Sequence, residues 1–218
     1  MIGIVDYDIG NLRSVQKALQ HVGGDAMFVR TPREIAKADG LVLPGVGAFG
    51  DCVRSLADSG MWDAVIAWAK SGKPFFGICV GYQMLFESSE EAPGTRGLAL
   101  FSGEVKKFTN RPGQKIPQIG WNTVEVRQPG APLLAGISSG DYVYYVHSYY
   151  VQPKDSSLVA LESTYGETFA AGIAQGNVIA TQFHPEKSQA AGLQLLRNFV
   201  ELSTSVKRSS LDAITTDA

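Results

Sequence analysis

Short apolar runs and amphipathic stretches alternate along the first eighty positions. Ile2-Gly3-Ile4-Val5 is an apolar run of strand length. Behind it Leu12, Val15, Leu19 and Val22 recur three and four apart, which lines them up on one face of a helix. Gly23-Gly24 ends that helix, and Ala26-Met27-Phe28-Val29 forms the next strand. Thr31-Pro32-Arg33-Glu34 then has a capping threonine followed by proline at the first helical position. Leu41-Val42-Leu43 and the run 74–78 add two more strands, with helices predicted over 49–57 and 62–70 between them. Strand alternating with helix predicts a mostly parallel, doubly wound α/β sheet with helices on both faces. In such sheets ligands bind beyond the carboxyl ends of the strands, so the loops after Leu43 and Ile78 lie at the functional edge.

Beyond Leu98 the texture changes to short β runs: Val124-Glu125-Val126, 142–146, Leu158-Val159-Ala160-Leu161 and 168–173. These predict an antiparallel or mixed extension of the sheet. A helix returns over 189–202, with Leu193, Leu196 and Val200 on one face. The expected organisation is one domain over 1–202 and a polar, mobile tail over 203–218, without an internal repeat.

The chain has 218 residues, 44% of them hydrophobic, enough for one domain with a substantial core. A net charge of −2 with scattered basic residues gives no footprint for nucleic acid or an acidic membrane. The chain opens on a strand rather than a signal peptide, and no run approaches the roughly 20 apolar residues of a membrane span. The two cysteines, Cys52 and Cys79, form no disulfide framework and fit a reducing compartment. A soluble, cytoplasmic protein is the expectation, with Cys52 a buried structural residue on a helix.

Gly77-Ile78-Cys79-Val80-Gly81 carries the strongest chemical signal. An apolar strand runs into it, and 82–87 reads as the first turns of a helix. A strand turning that abruptly into a helix strains its corner residue, and the flanking glycines permit the tight turn. Such a corner presents Cys79 as a nucleophile at a helix amino end, where the dipole favours the thiolate. An activated cysteine needs a base, and His184 stands at a strand end where Pro185 stops the run 178–183. Glu186, two residues on, is close enough to orient the imidazole. Cys79, His184 and Glu186 thus carry the logic of a nucleophile–base–orienter triad. Pro44-Gly45-Val46-Gly47-Ala48-Phe49-Gly50 follows the strand at Leu41. Its backbone N–H at Val46 or Gly47, with that of Val80, suits an oxyanion hole, where one donor is worth about 3 kcal/mol. No Walker lysine or dinucleotide glycine spacing accompanies it. These parts predict acyl transfer through a thioester. The acyl group stays open among peptides, esters and γ-glutamyl compounds, and a non-catalytic binding subunit is the alternative from another class.

Pro44-Gly45-Val46-Gly47-Ala48-Phe49, Gly77-Ile78-Cys79-Val80-Gly81-Tyr82-Gln83 and Phe183-His184-Pro185-Glu186 together resemble a class I, triad-type glutamine amidotransferase. Asp6-Tyr7-Asp8-Ile9-Gly10-Asn11, Pro117-Gln118-Ile119-Gly120-Trp121-Asn122 and Tyr144-Tyr145-Val146-His147-Ser148-Tyr149 narrow the resemblance to the glutaminase subunits of imidazole glycerol phosphate synthases. It covers about residues 1–202. The resemblance implies hydrolysis of glutamine to glutamate and ammonia, with no metal and no cofactor. It implies glutamine-binding roles for Gly45, Gly47, Gln83, Glu91, Ser148 and Tyr149. It implies a heterodimer with a (β/α)8-barrel cyclase subunit, with Asn11, Trp121 and Tyr144 at or near the interface. Ammonia would react in the barrel with a phosphoribulosyl aminoimidazole carboxamide ribonucleotide, a step of histidine biosynthesis. It also implies a glutaminase nearly silent until the barrel binds its ligand, with a backbone rearrangement at Gly45-Val46-Gly47 as the switch. The glutaminase subunits of pyridoxal phosphate synthase and anthranilate synthase share the triad and are the alternatives.

Overall fold

The computed structural model describes residues 1–216, with side chains described through 205. In chain order it comprises β1 (Ile2–Val5), α1 (Leu12–His21), β2 (Ala26–Val29), α2 (Pro32–Ala36), β3 (Gly40–Gly45), α3 (Phe49–Asp58), α4 (Trp62–Lys70) and β4 (Phe75–Cys79). The single-turn helix α5 (Val80–Gln83), β5 (Ser88–Ser89), β6 (Gly103–Lys107), β7 (Gln118–Thr123) and β8 (Glu125–Val126) follow. The chain continues through β9 (Tyr142–His147), β10 (Tyr149–Pro153), β11 (Val159–Tyr165), β12 (Glu167–Gln175), β13 (Val178–Thr181) and α6 (Gln189–Thr216). No described helix is long and apolar enough to cross a membrane.

The main sheet runs in the order β2-β1-β3-β4-β13-β12-β10-β6-β5. Strands β2, β1, β3, β4 and β13 pair in parallel, whereas β12 joins β13, and β10 joins β12, antiparallel. This is the expected doubly wound α/β fold with a mixed β extension. The inner parallel strands are buried on both faces, as their unbroken apolar runs require: every residue of β1, β3, β4 and β13 is buried, whereas Met27 of the edge strand β2 is exposed. Strands β7 and β9 form a separate antiparallel pair with two unlike faces. Ile119, Trp121, Tyr142 and Val146 are exposed on one face, while Gln118, Val143, Tyr145 and His147 are buried on the other.

Two expected helices change length. The run 82–87 does not continue as a helix beyond Gln83, because the carbonyls that a longer helix would use are taken from outside. Leu98 donates its N–H to the Met84 carbonyl, Leu100 to Leu85 and Gly97 to Glu87. At the other end, α6 does not stop at 202: Ser203 is buried, lies next to Gly40 and returns its hydroxyl to the Phe199 carbonyl. The rest of the expected tail, 206–218, lies outside the residues whose side chains are described.

Candidate active site

Strand β4 lies between β3 and β13, and their register decides what meets at its carboxyl end. Gly45 is the partner of Cys79 on one side, and Thr181 is the partner of Ile78 on the other. The loop after β3 and the three residues after β13 are therefore brought to the same spot, with Cys79 at the centre.

Cys79 has φ 56° and ψ −112°, in the left-handed half of backbone space that a residue with a Cβ rarely occupies. The corner is as tight as the flanking glycines predict. A Cβ on Gly81 would collide with the Leu43 carbonyl of β3, so only glycine lets the turn pack this close to the neighbouring strand. Because α5 is one turn long, the dipole expected from a longer helix is reduced to the N–H groups of that turn.

His184 follows β13 and is 4% exposed. Its N–H donates to the Tyr144 carbonyl of β9 at 3.0 Å, and its own carbonyl accepts from Ser188 Oγ at 2.6 Å. Ser188 Oγ in turn accepts from the Tyr144 N–H at 2.9 Å, which ties the loop to β9. The ring places Nδ1 2.9 Å from Glu186 Oε1 and borders the same cleft as Cys79. Burial works against a charged ring, but the hydrogen bonds to Cys79 and Glu186 outweigh it and push the His184 pKa up to about 10. The Glu186 side chain is sealed from solvent, and its Oε2 has no hydrogen-bond partner among the described residues. That carboxylate depends on His184 for its compensation.

Cys79 and His184 border a cleft of about 390 Å³, with Glu186 bonded to His184 outside its lining. Val46, Gly47, Val80, Gln83, Glu91, Ser148 and Tyr149 also line it, so the structure gathers most of the residues that the sequence motifs single out. Gly45 stands one residue behind the lining, paired with Cys79. The Val46 carbonyl accepts from Cys52 Sγ at 3.3 Å. In a trans peptide the following N–H points the other way, so the Gly47 N–H faces away from Cys52. Cys52 is fully buried, as expected of a structural thiol, and burial pushes its pKa up to about 11. Glu91 holds the Phe49 N–H at 2.7 Å, capping α3 directly after the glycine-rich loop. Gln83, far from being a solvated helix residue, is 3% exposed and donates Nε2 to the Tyr149 carbonyl at 3.1 Å and to Gln182 Oε1 at 3.0 Å.

Asn11, Trp121 and Tyr144 lie away from the cleft. Asn11 borders a surface depression with Asp6 and Arg30. Trp121 and Tyr144 face each other edge to face, centroids 5.7 Å apart, on the outer side of the β7–β9 pair. Gln182, Ser188 and Lys187 escape the motif reading, and His147 stands inside a motif without a role of its own; of these, His147 and Lys187 line the cleft. The detectable signal is a polar residue inside an apolar strand run, as at Gln182 within 178–183. Among the described residues no group of three or more His, Cys, Asp or Glu is arranged to hold a metal ion.

Comparison with known proteins agrees with this geometry. The family model for class-I glutamine amidotransferases matches residues 3–202. The imidazole glycerol phosphate synthase subunit HisH of Syntrophotalea carbinolica is 48% identical over 210 residues, covering 93% of this chain and all of that one. The HisH subunit of Thermosynechococcus vestitus is 49% identical over 203 residues, covering 92% and 96%. Among solved structures, a glutamine amidotransferase superposes with a TM-score of 0.72 at 22% identity, covering 93% and 98%. Another, from Thermotoga maritima, gives 0.65 at 16% identity, covering 93% and 96%. These two distant likenesses concern the fold alone. The extent of the family match and the identity to the HisH subunits lead to one conclusion: the chain belongs to the class-I glutamine amidotransferase family.

Proposed function

We propose that this chain is the glutaminase subunit of an imidazole glycerol phosphate synthase and supplies ammonia to a (β/α)8-barrel cyclase subunit. The observation that carries the chemistry is the meeting in one cleft of Cys79, at its strained corner, with a His184 ring that is bonded to Glu186. The identity to HisH subunits over nearly the whole chain supports the choice of synthase over the pyridoxal phosphate and anthranilate systems.

In this reading the Cys79 sulfur attacks the side-chain carbonyl carbon of glutamine. The oxyanion that forms is met by backbone N–H groups of Val80 and of Val46 or Gly47. His184, held as the imidazolium, gives its proton to the departing nitrogen, and ammonia leaves a Cys79 thioester. His184 then takes a proton from water as it attacks the thioester, releasing glutamate and restoring the sulfur. Glutamine and water are consumed; glutamate and ammonia are formed. Gln83, Glu91, Ser148 and Tyr149 hold the glutamine, with Gly45 and Gly47 shaping the loop. The glutaminase domain of this reading spans 1–202.

The outer face of β7–β9, with Trp121 exposed beside Tyr144, is the docking face for the barrel in this reading, with Asn11 as a further contact. Ammonia then meets the barrel's ribonucleotide and yields imidazole glycerol phosphate and an aminoimidazole carboxamide ribonucleotide. Glutamate release tests the whole proposal in three mixtures: the chain alone, the chain with the barrel, and both with the ribonucleotide ligand. A low rate that rises steeply in the third mixture is the expected result. Full activity of the chain alone overturns the gated reading in favour of an independent hydrolase, and silence in all three overturns the choice of partner.

A further inference from the structure

The buried side of β9 carries a histidine that the proposed chemistry leaves unused. His147 is 6% exposed and sits among the rings of Phe108, Tyr145 and Phe169, at centroid distances of 5.0, 5.2 and 5.2 Å. Phenylalanine would fill such a cage without bringing two polar nitrogens into it, each costly if left unpaired. Both nitrogens are paired. Nδ1 lies 2.8 Å from the Tyr149 carbonyl oxygen, and Nε2 lies 2.8 Å from Oε1 of Gln118, its register partner on β7.

A carbonyl only accepts, so Nδ1 carries the hydrogen. Burial pushes the ring's pKa down to about 4, against the pull of the Tyr149 carbonyl and with nearby His184 adding to the fall. With the ring neutral, Nε2 accepts, and this requires a half-turn of the Gln118 amide that puts its NH2 in the place of Oε1.

The same Tyr149 carbonyl accepts from Gln83, whose amide nitrogen also holds Gln182 Oε1. The Gln182 amide nitrogen lies 3.9 Å from Cys79 Sγ. One connected path thus runs from Gln118 through His147, the Tyr149 carbonyl, Gln83 and Gln182 to Cys79, and four of its members, His147, Tyr149, Gln83 and Cys79, line the cleft.

We infer that His147 is a positioning residue for the glutamine site: its Nδ1–H fixes the Tyr149 carbonyl, which in turn fixes the Gln83 amide against which the substrate seats. This rests on the glutaminase reading above. It goes beyond that reading by giving β7 a buried task, since Gln118 locks the tautomer that His147 needs.

Two measurements test it. The chain has only three histidines, His21, His147 and His184, so ring nitrogen NMR of the full chain resolves them. The His147 ring, facing Tyr145, Tyr149, Gln118 and His184, is expected as the neutral Nδ1–H tautomer from pH 5.5 to 8. Gln118→Ala should mix in the other tautomer. An Nε2–H ring in the wild type, or one that titrates near 6.5, overturns the inference whatever the enzyme turns over.

In the complex with barrel and ligand, His147→Phe keeps the cage filled but removes both hydrogen bonds. The glutamine KM should rise about tenfold while kcat changes less than about threefold. Asparagine places an amide NH2 where Nδ1–H stands, so His147→Asn should bring KM back to within about threefold of wild type. A wild-type KM in His147→Phe, or no rescue by His147→Asn, overturns the inference. A wild-type complex that releases no glutamate overturns the glutaminase reading instead, a result distinct from the failure of either variant.

Discussion

His184 and His147 are nearly equally sealed from solvent, at 4% and 6% exposure, and burial opposes a charged ring at both. Their protonation nevertheless diverges, to a pKa of about 10 at one and about 4 at the other. Partners account for the difference. His184 stands between a thiol and a carboxylate, groups that bear negative charge when ionised, whereas His147 stands between a backbone carbonyl and a neutral amide. Burial supplies the same penalty in both places, and the charge of the partners decides whether it is overcome. One ring is thereby set to move protons and the other to hold a fixed hydrogen bond.

The sharpest way to break this comparison is to remove the proton-carrying ring. His184→Asn should lower glutamate release in the liganded complex by about a thousandfold or more, since it deletes the proton carrier of both steps. Binding to the barrel, followed by calorimetry, should be unchanged, because the β7–β9 face is not altered. Retention of activity within tenfold would place His184 outside the chemistry. Glu186→Gln is the subtler cut. It keeps the shape but removes the carboxylate, so the His184 pKa should fall and activity should drop about a hundredfold. Ring nitrogen NMR reads the first effect and glutamate release the second. An unmoved His184 pKa would mean that Cys79 alone sustains the charged ring.

These contrasts were not equally open to inspection of the sequence. The parallel half was legible because local rules suffice there: apolar runs make β1 to β4, amphipathic spacing makes α1, and the predicted helix over 62–70 coincides with α4. The corner at Cys79 was legible because two glycines in five residues announce a tight turn. What escaped depends on partners far away in sequence. The run 82–87 has the composition of a helix, but its carbonyls are claimed by residues 97–101. Strand β10 begins at Tyr149 and ends in Pro153, and without its neighbour β6 nothing marks it as extended. Glu91 reads as one more acid in a surface run, yet its carboxylate holds the Phe49 N–H, 42 positions away. His147 meets Gln118 at a separation of 29, through a strand pairing that no local pattern encodes.

Acid stability separates the two histidines more gently. A ring whose folded pKa lies below its unfolded value stabilises the protein above the unfolded pKa, and that stability is lost as pH falls through the folded one. For His147 the window runs from about 6.5 down to about 4. Between pH 7 and pH 5 this ring alone should cost the fold on the order of 1–2 kcal/mol. Thermal unfolding of the wild type and of His147→Phe should therefore show different slopes, the wild type losing more on acidification. Parallel curves would mean that His147 titrates alike in the folded and the unfolded chain, and the contrast with His184 would collapse.

The smallest effect concerns the two thiols, which obey the same partner rule. Cys79 faces the charged ring of His184 and borders the cleft, while Cys52 faces neutral groups, the Val46 carbonyl and Tyr7, and burial pushes its pKa up to about 11. An alkylating reagent applied to the folded protein should label Cys79 and leave Cys52 untouched until the chain is unfolded, which peptide mass mapping reads directly. Cys52→Ala should leave this labelling pattern intact and cost only about 1 kcal/mol of stability, because a weak S–H donor to one carbonyl is lost. A folded protein labelled first at Cys52 would contradict the rule, since it would mean that neutral partners activate a buried thiol as well as a charged one does.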